Sequence, residues 1–114
     1  TIMDCIFCKI IKKEIPSKII YEDDKVLAFN DLNPIAPVHA LIIPKEHISS
    51  ANDITPENSD IIGYIFSVIP KIAEKLGLND GYRIINNCGE NGGQSVKHIH
   101  FHLLGGKELS WEKL

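Results

Sequence analysis

The 114-residue chain predicts one domain of the α+β class with an antiparallel sheet. Segments follow one another as a short helix, three strands, a long helix and two strands, without the strand–helix alternation that builds a parallel sheet. Several strands are joined by links of hairpin length, and there is no internal repeat, linker or low-complexity stretch.

Residues 4–13 place apolar side chains at 6, 7, 10 and 11, a helical spacing with Asp4 as N-cap and Pro16 as the stop. Ile19–Glu22 and Val26–Asn30 flank the polar turn Asp23-Asp24-Lys25 and predict a hairpin. Pro34 and Pro37 fix the loop 31–37. A third strand, His39–Ile43, stops at Pro44. Thr55 predicts the N-cap of the long helix and Pro56 its first residue, where a missing N–H costs nothing. Apolar residues at 62, 65, 66, 69, 72, 73 and 76 form its buried stripe, Gly77 closes it, and Pro70 predicts a kink rather than two helices. Strands at 82–87 and 97–104 enclose the loop 88–95.

Composition narrows the function classes. With 44% hydrophobic and 24% charged residues the chain is an ordinary globular protein, and a net charge of −3 argues against binding nucleic acid or an anionic membrane. No apolar run approaches a membrane span of about 18 residues, and Thr1-Ile2-Met3-Asp4 does not open a secretion signal, so a cytoplasmic location is expected. Three cysteines, with Cys5 and Cys8 three positions apart, make a poor disulfide framework and suit metal binding or redox chemistry in a reducing compartment.

The sharpest pattern is His98-Ile99-His100-Phe101-His102. On a strand the three imidazoles share one face while Ile99, Phe101 and Leu103 enter the core on the other. That face suits a nucleophilic or acid–base role, a three-histidine metal site, or plain exposure. Directly before it, Gly92-Gly93-Gln94-Ser95 offers main-chain N–H groups and a hydroxyl to an anion, which favours a phosphate site.

The segment Gly92-Gly93-Gln94-Ser95-Val96-Lys97-His98-Ile99-His100-Phe101-His102-Leu103-Leu104-Gly105-Gly106 resembles the signature of the histidine triad (HIT) family, in its Hint branch. The likeness continues through Cys5-Ile6-Phe7, Phe29-Asn30-Asp31, Pro37-Val38-His39, Ile43-Pro44-Lys45-Glu46-His47 and Gly77-Leu78-Asn79-Asp80-Gly81-Tyr82-Arg83 to Trp111, and so covers essentially the whole chain, 1–114, as a single HIT domain. It implies a HIT-like fold and a hydrolase that cleaves the α-phosphorus bond of purine nucleoside phosphoramidates through a nucleotidyl-histidine. His100 matches the nucleophile, His102 a phosphate contact, His39 a fourth imidazole, and Ser95 with the Gly93 backbone the grip on phosphate oxygens. Asp31 matches a ribose-binding carboxylate, with an Asx turn as its other reading, and Asn87 a side chain near ribose and phosphate. Ile6, Phe7, Phe29 and Leu32 match the walls around the base, or are plain core.

Cys5 and Cys8 have the spacing of half a zinc site, and the resemblance supplies His47 and His98 as the other ligands of a structural zinc. A reduced thiol pair, a redox pair and buried packing are the other readings of the two cysteines. Cys88 has no assigned role, and no organic cofactor is expected. The resemblance further implies a homodimer joined through the long helix and an adjacent strand, which continues the sheet across two subunits. Diadenosine polyphosphate hydrolysis and a non-catalytic AMP-binding or adaptor role are the alternatives.

Overall fold

The structure, a computed structural model, describes residues 5–112. In chain order it contains α1 (Ile6–Ile11), β1 (Ile19–Glu22), β2 (Val26–Asn30), β3 (Val38–Pro44), a 3-10 turn at Ala51–Asp53, α2 (Asp60–Lys75), β4 (Arg83–Ile85) and β5 (Phe101–Gly105). The strands form one antiparallel sheet in the order β1-β2-β3-β5-β4, the α+β architecture that the sequence predicts.

The pleat sends alternate residues to opposite faces and so builds two apolar layers. Val26, Ala28, Ala40, Ile42, Phe101 and Leu103 pack with Ile65, Val68, Ile69, Ile72 and Ala73 of α2. Leu27, Phe29, Leu41 and Ile43 point the other way and pack with Phe7, Cys8 and Ile10 of α1. His39 shares the α1 face with Leu41, and His102 stands opposite Leu41 in the β3–β5 register. Chemistry is therefore confined to the sheet face that the short helix covers only in part.

The β1–β2 turn is closed by Asp23, whose Oδ1 accepts from the N–H groups of Lys25 and Val26 at 2.8 and 2.9 Å. Its Oδ2 accepts from Tyr21 at 2.8 Å and also from Tyr64, which ties α2 to the hairpin. Burial pushes the Asp23 carboxyl up, but these donors outweigh it and hold the group down at about 2.

Several boundaries differ from those expected. Asp4 lies outside the described residues; the N-cap of α1 is Cys5, whose Sγ accepts from the Cys8 N–H at 3.4 Å. The helix ends at Ile11, ahead of Pro16, and Lys13 turns the chain at φ 65°. The long helix begins at Asp60 with Ser59 as its N-cap, rather than with Thr55 and Pro56. The segment 56–59 is closed instead by bonds three residues apart, from the Asn58 N–H to the Thr55 carbonyl at 3.1 Å and from the Ile61 N–H to the Asn58 carbonyl at 3.4 Å, which make tight turns ahead of the regular helix. At the other end Gly77, at φ 75°, lets Leu78 N–H reach the Ala73 carbonyl at 2.9 Å, as foreseen for a glycine-closed helix. Pro70 lies on the exposed side of one continuous helix. Val68 takes the buried place expected for Phe66, which is 47% exposed and packs edge-on to Phe101 at 5.6 Å.

Candidate functional site

Only His102 of the three clustered imidazoles lies within a strand, because β5 starts at Phe101 instead of 97. Residues 98–100 are unpaired with β4, and the Ile99 N–H bonds instead to the Ile48 carbonyl at 2.6 Å. The alternation survives without the ladder. Ile99, Phe101 and Leu103 enter the α2 layer, while His98 and His100 are buried on the other side and His102 is partly exposed. Phe7 stacks edge-on against both His98 and His100, with ring centroids at 5.9 and 5.1 Å.

His98 joins Cys5, Cys8 and His47 in a cluster whose ligand atoms all lie within 4.8 Å of one another. Cys5 Sγ and Cys8 Sγ stand 3.4 and 3.6 Å from His98 Nδ1, Cys8 Sγ is 3.3 Å from His47 Nδ1, and the two Nδ1 atoms are 3.1 Å apart. A tetrahedral zinc with ordinary bond lengths needs S···N edges of about 3.5 Å and an N···N edge of about 3.4 Å. The four side chains thus stand at the spacing of a closed tetrahedral site. Proton placement agrees with that. His98 Nε2 lies 2.8 Å from the Pro44 carbonyl, which can only accept, so the proton sits on Nε2 and the Nδ1 lone pair faces the thiols. Burial, and then its bonding and charge interaction with Cys5, push the Cys8 thiol up to about 11, whereas burial takes His98 down to about 4. Such donors suit a dication that stabilises thiolate.

A second group, Asp31, His39 and His102, is equally tight but differs in its protons. The Ile35 N–H donates to His39 Nδ1 at 3.2 Å, so neutral His39 carries its proton on Nε2. That Nε2 lies 2.9 Å from His102 Nδ1 and 3.4 Å from Asp31 Oδ2. A metal would need a lone pair where His39 holds a proton, so the arrangement is a hydrogen-bond chain. Burial lowers both imidazoles, His102 to about 4, and keeps them neutral at neutral pH. His100 Nδ1 lies 2.8 Å from the His98 carbonyl and must donate to it, which leaves a lone pair on Nε2.

These imidazoles stand at the end of a cleft of about 280 Å³ that Ile6, Phe7, Phe29, Asp31, Leu32, Ser95, His100 and His102 help to line. Eight residues singled out in the sequence therefore converge. Phe7 and Phe29 pack against each other at 5.6 Å in the α1 layer, as core residues do, and also line the cleft. Leu32, 90% exposed, stands at the rim. The Asx-turn reading of Asp31 holds, since Oδ1 accepts from the Asn33 N–H at 2.8 Å, and Asp31 also borders the cleft. His39 lies behind His102 and does not line it.

Two expected ligand contacts take other partners. The Asn87 amide donates to the Gly92 carbonyl at 2.7 Å, and the Gly93 N–H is engaged with the Glu90 carbonyl at 3.0 Å instead of being free for an anion. Glycine is needed at 92 for space, because a Cβ there would meet the Cys88 carbonyl oxygen at 2.3 Å. Gln94, read from sequence only as part of the loop, holds that loop in place. Its Oε1 accepts from the Gly89 N–H at 2.9 Å, and its Nε2 donates to the carbonyls of Ser49 and Val96 at 2.7 and 2.9 Å. Ser17 and Asn30 also border the cleft, and no spacing in the sequence marks them.

Known proteins resemble this chain over most of its length. The chain is 52% identical over 108 residues to a maize (Zea mays) protein named "14 kDa zinc-binding protein", covering 93% of this chain and 84% of that one. A histidine triad protein from Clostridium difficile is 58% identical, with a TM-score of 0.92 and 95% of each chain covered. A HIT family hydrolase from Clostridium thermocellum is 51% identical, with a TM-score of 0.96 and 100% of each chain covered. The sequence profile of the HIT domain matches residues 12–109, and with these relatives it shows that the chain belongs to the HIT domain family.

Proposed function

We propose that this HIT protein is a Hint-branch hydrolase of purine nucleoside phosphoramidates. The observation that carries the reading is the free Nε2 lone pair of His100 at the end of a cleft that also holds Asp31 and Ser95. Nε2 attacks the α-phosphorus, the bond from phosphorus to the amine nitrogen breaks, and the amine leaves with a proton from solvent, which the attacking water of the second step gives back. Water then attacks the nucleotidyl-His100, restores the imidazole and releases the nucleoside monophosphate. His102, with its proton on Nε2, and the Ser95 hydroxyl donate to the phosphate oxygens as charge builds there. Asp31 Oδ2 takes the ribose hydroxyls, and Ile6, Phe7, Phe29 and Leu32 enclose the base.

Cys5, Cys8, His47 and His98 would hold a structural zinc, in keeping with the spacing of their donor atoms and the name of the maize relative. The zinc would supply a cross-link from α1 to the segment before β5 and, with four protein ligands, no open position for water. A cytoplasmic homodimer that continues the sheet completes the reading. Among the described residues no helix is long and apolar enough to cross a membrane.

A fluorogenic AMP–amine conjugate tests the activity. Wild type should release the amine and His100→Ala should not; equal, negligible release from both would leave an AMP-binding module instead. Faster cleavage of diadenosine polyphosphates than of phosphoramidates would replace the substrate class.

A further inference from the structure

The imidazole of His102 can donate to a phosphate only if its proton is on the outward nitrogen, and nothing within the side chain fixes that choice. Its Nδ1 faces His39 Nε2 at 2.9 Å, so one of the two nitrogens must bear the hydrogen and the other must accept. His39 Nδ1 decides between the two, because it faces a group with no freedom: the main-chain N–H of Ile35, at 3.2 Å. A peptide nitrogen always donates.

We propose that the Ile35 N–H is a tautomer lock, which sets the proton on Nε2 of His39 and through it on Nε2 of His102. Ile35 and His39 act as positioning residues for the phosphate contact made by His102. The inference rests on the proposed role of His102 at phosphate for its catalytic consequence, while the tautomers themselves do not.

The surroundings of Ile35 fit this part. Its side chain is 71% exposed, so burial of the isoleucine does not explain how the segment is held. The loop is pinned at both ends, by the Asp31 N–H on the His39 carbonyl at 3.0 Å and by the Asx turn from Asp31 Oδ1 to the Asn33 N–H at 2.8 Å. Pro34 and Pro37 restrict the backbone between them. Asp31 Oδ2 lies 3.4 Å from His39 Nε2, and the negative charge of the carboxylate there favours a proton on that nitrogen, the same tautomer. Without the lock the opposite chain is open: the proton on His39 moves to Nδ1, His102 Nδ1–H donates to His39 Nε2, and His102 presents a lone pair to the phosphate. The same loop supplies Asp31, Leu32 and Asn33 to the cleft, so occupancy of the sugar end and proton placement at the phosphate end share one backbone segment.

The test is imidazole ¹⁵N NMR on uniformly labelled protein, in which protonated and lone-pair ring nitrogens have well separated shifts. Wild type should show protonated Nε2 and unprotonated Nδ1 at both His39 and His102, and Ile35→Ala, which keeps the N–H, should show the same. Replacing Ile35 by its α-hydroxy acid turns the amide into an ester, removes the N–H and keeps the side chain. Ile35→Pro removes the N–H genetically, and the ester decides the matter if that variant fails to fold. Both should shift His102 toward the Nδ1–H form and lower kcat on the AMP–amine conjugate about tenfold, as expected for losing one donor worth about 1.4 kcal/mol at the transition state. A wild-type His102 protonated on Nδ1, or an ester variant with unchanged tautomers, would overturn the lock. Wild-type tautomers as stated but no turnover by any variant would instead overturn the phosphoramidase reading and leave the lock standing.

Discussion

Gln94 offers a direct measure of how firmly the loop that carries Ser95 is held. It makes three hydrogen bonds across the segments 89, 96 and 49, and it links the loop to the stretch just after His47. A neutral hydrogen bond contributes about 0.5–1.5 kcal/mol net, and water replaces part of it in an exposed loop, so Gln94→Ala should cost about 2 kcal/mol. With an unfolding entropy of about 2.1 cal/mol/K per residue, that lowers Tm by about 8 °C in a domain of this length. Gln94→Glu is isosteric yet should do worse at neutral pH, about 3 kcal/mol, because a carboxylate oxygen then faces the Ser49 and Val96 carbonyls where an N–H₂ donated. Protonation relieves that repulsion, so the folded-state pKa of the introduced Glu lies above its unfolded value of about 4.3. The deficit against wild type should therefore be least below about pH 4 and grow as pH rises through the raised folded pKa. Urea melts of the three proteins from pH 4 to 8 read this, and comparison at each pH cancels the shared acid sensitivity of the thiol–imidazole cluster. If Gln94→Glu matches wild type at pH 7, or is no worse than Gln94→Ala, the amide does not clamp the loop.

Other substitutions separate the remaining roles. Cys8→Ala should abolish stoichiometric zinc measured by elemental analysis, whereas His100→Ala should keep it; in wild type, metal uptake must expel the Cys8 thiol proton, so zinc affinity should fall as pH drops and binding should acidify a weakly buffered solution. The depressed Asp23 carboxyl contributes stability above its unfolded pKa of about 3.9 that is lost as pH falls toward 2, so the stability of wild type should decline across that window more than that of Asp23→Asn, and Tyr64→Phe should lower the midpoint of urea melts at pH 7. Leu32→Ala should leave Tm unchanged and raise KM, while Phe29→Ala should cost about 3–4 kcal/mol of stability as well, since only the second is buried.

Much of this architecture is legible in the chain because it depends on periodicity. The alternation across 98–103 correctly separates buried Ile99, Phe101 and Leu103 from the imidazoles, even though His98 and His100 lie outside the ladder. Gly77 is readable as a helix stop because only local geometry is involved. The start of α2 is not, since Thr55-Pro56 satisfies every local preference for a helix start, yet the residues that follow close turns with bonds three residues apart before the regular helix begins. The glycine pair shows a similar limit. Sequence suggests two free N–H groups for an anion, but the Gly93 N–H closes a turn and Gly92 makes room for the Cys88 carbonyl. Gln94 and Ile35 escape a reading of motifs because a main-chain group carries each contact: the Gln94 amide binds the backbone of Ser49, Gly89 and Val96, and Ile35 offers its own N–H to the His39 ring.

The histidines show what that dependence means for chemistry. Each has the same two ring nitrogens, and in three of them one nitrogen is committed to a main-chain atom. The Pro44 carbonyl, 54 positions away, takes the Nε2 proton of His98 and turns Nδ1 toward two thiols. The His98 carbonyl takes the Nδ1 proton of His100 and frees Nε2 at the cleft. At His39 the partner is a donor, so the result inverts and the side chain passes a proton on instead of offering a lone pair. A carbonyl at the far side of the ring thus leaves His98 and His100 each with a lone pair to offer, whereas an N–H there leaves His39 with a proton to pass on. The sequence names the residue type, but the backbone partner selects whether that ring offers a lone pair or a proton.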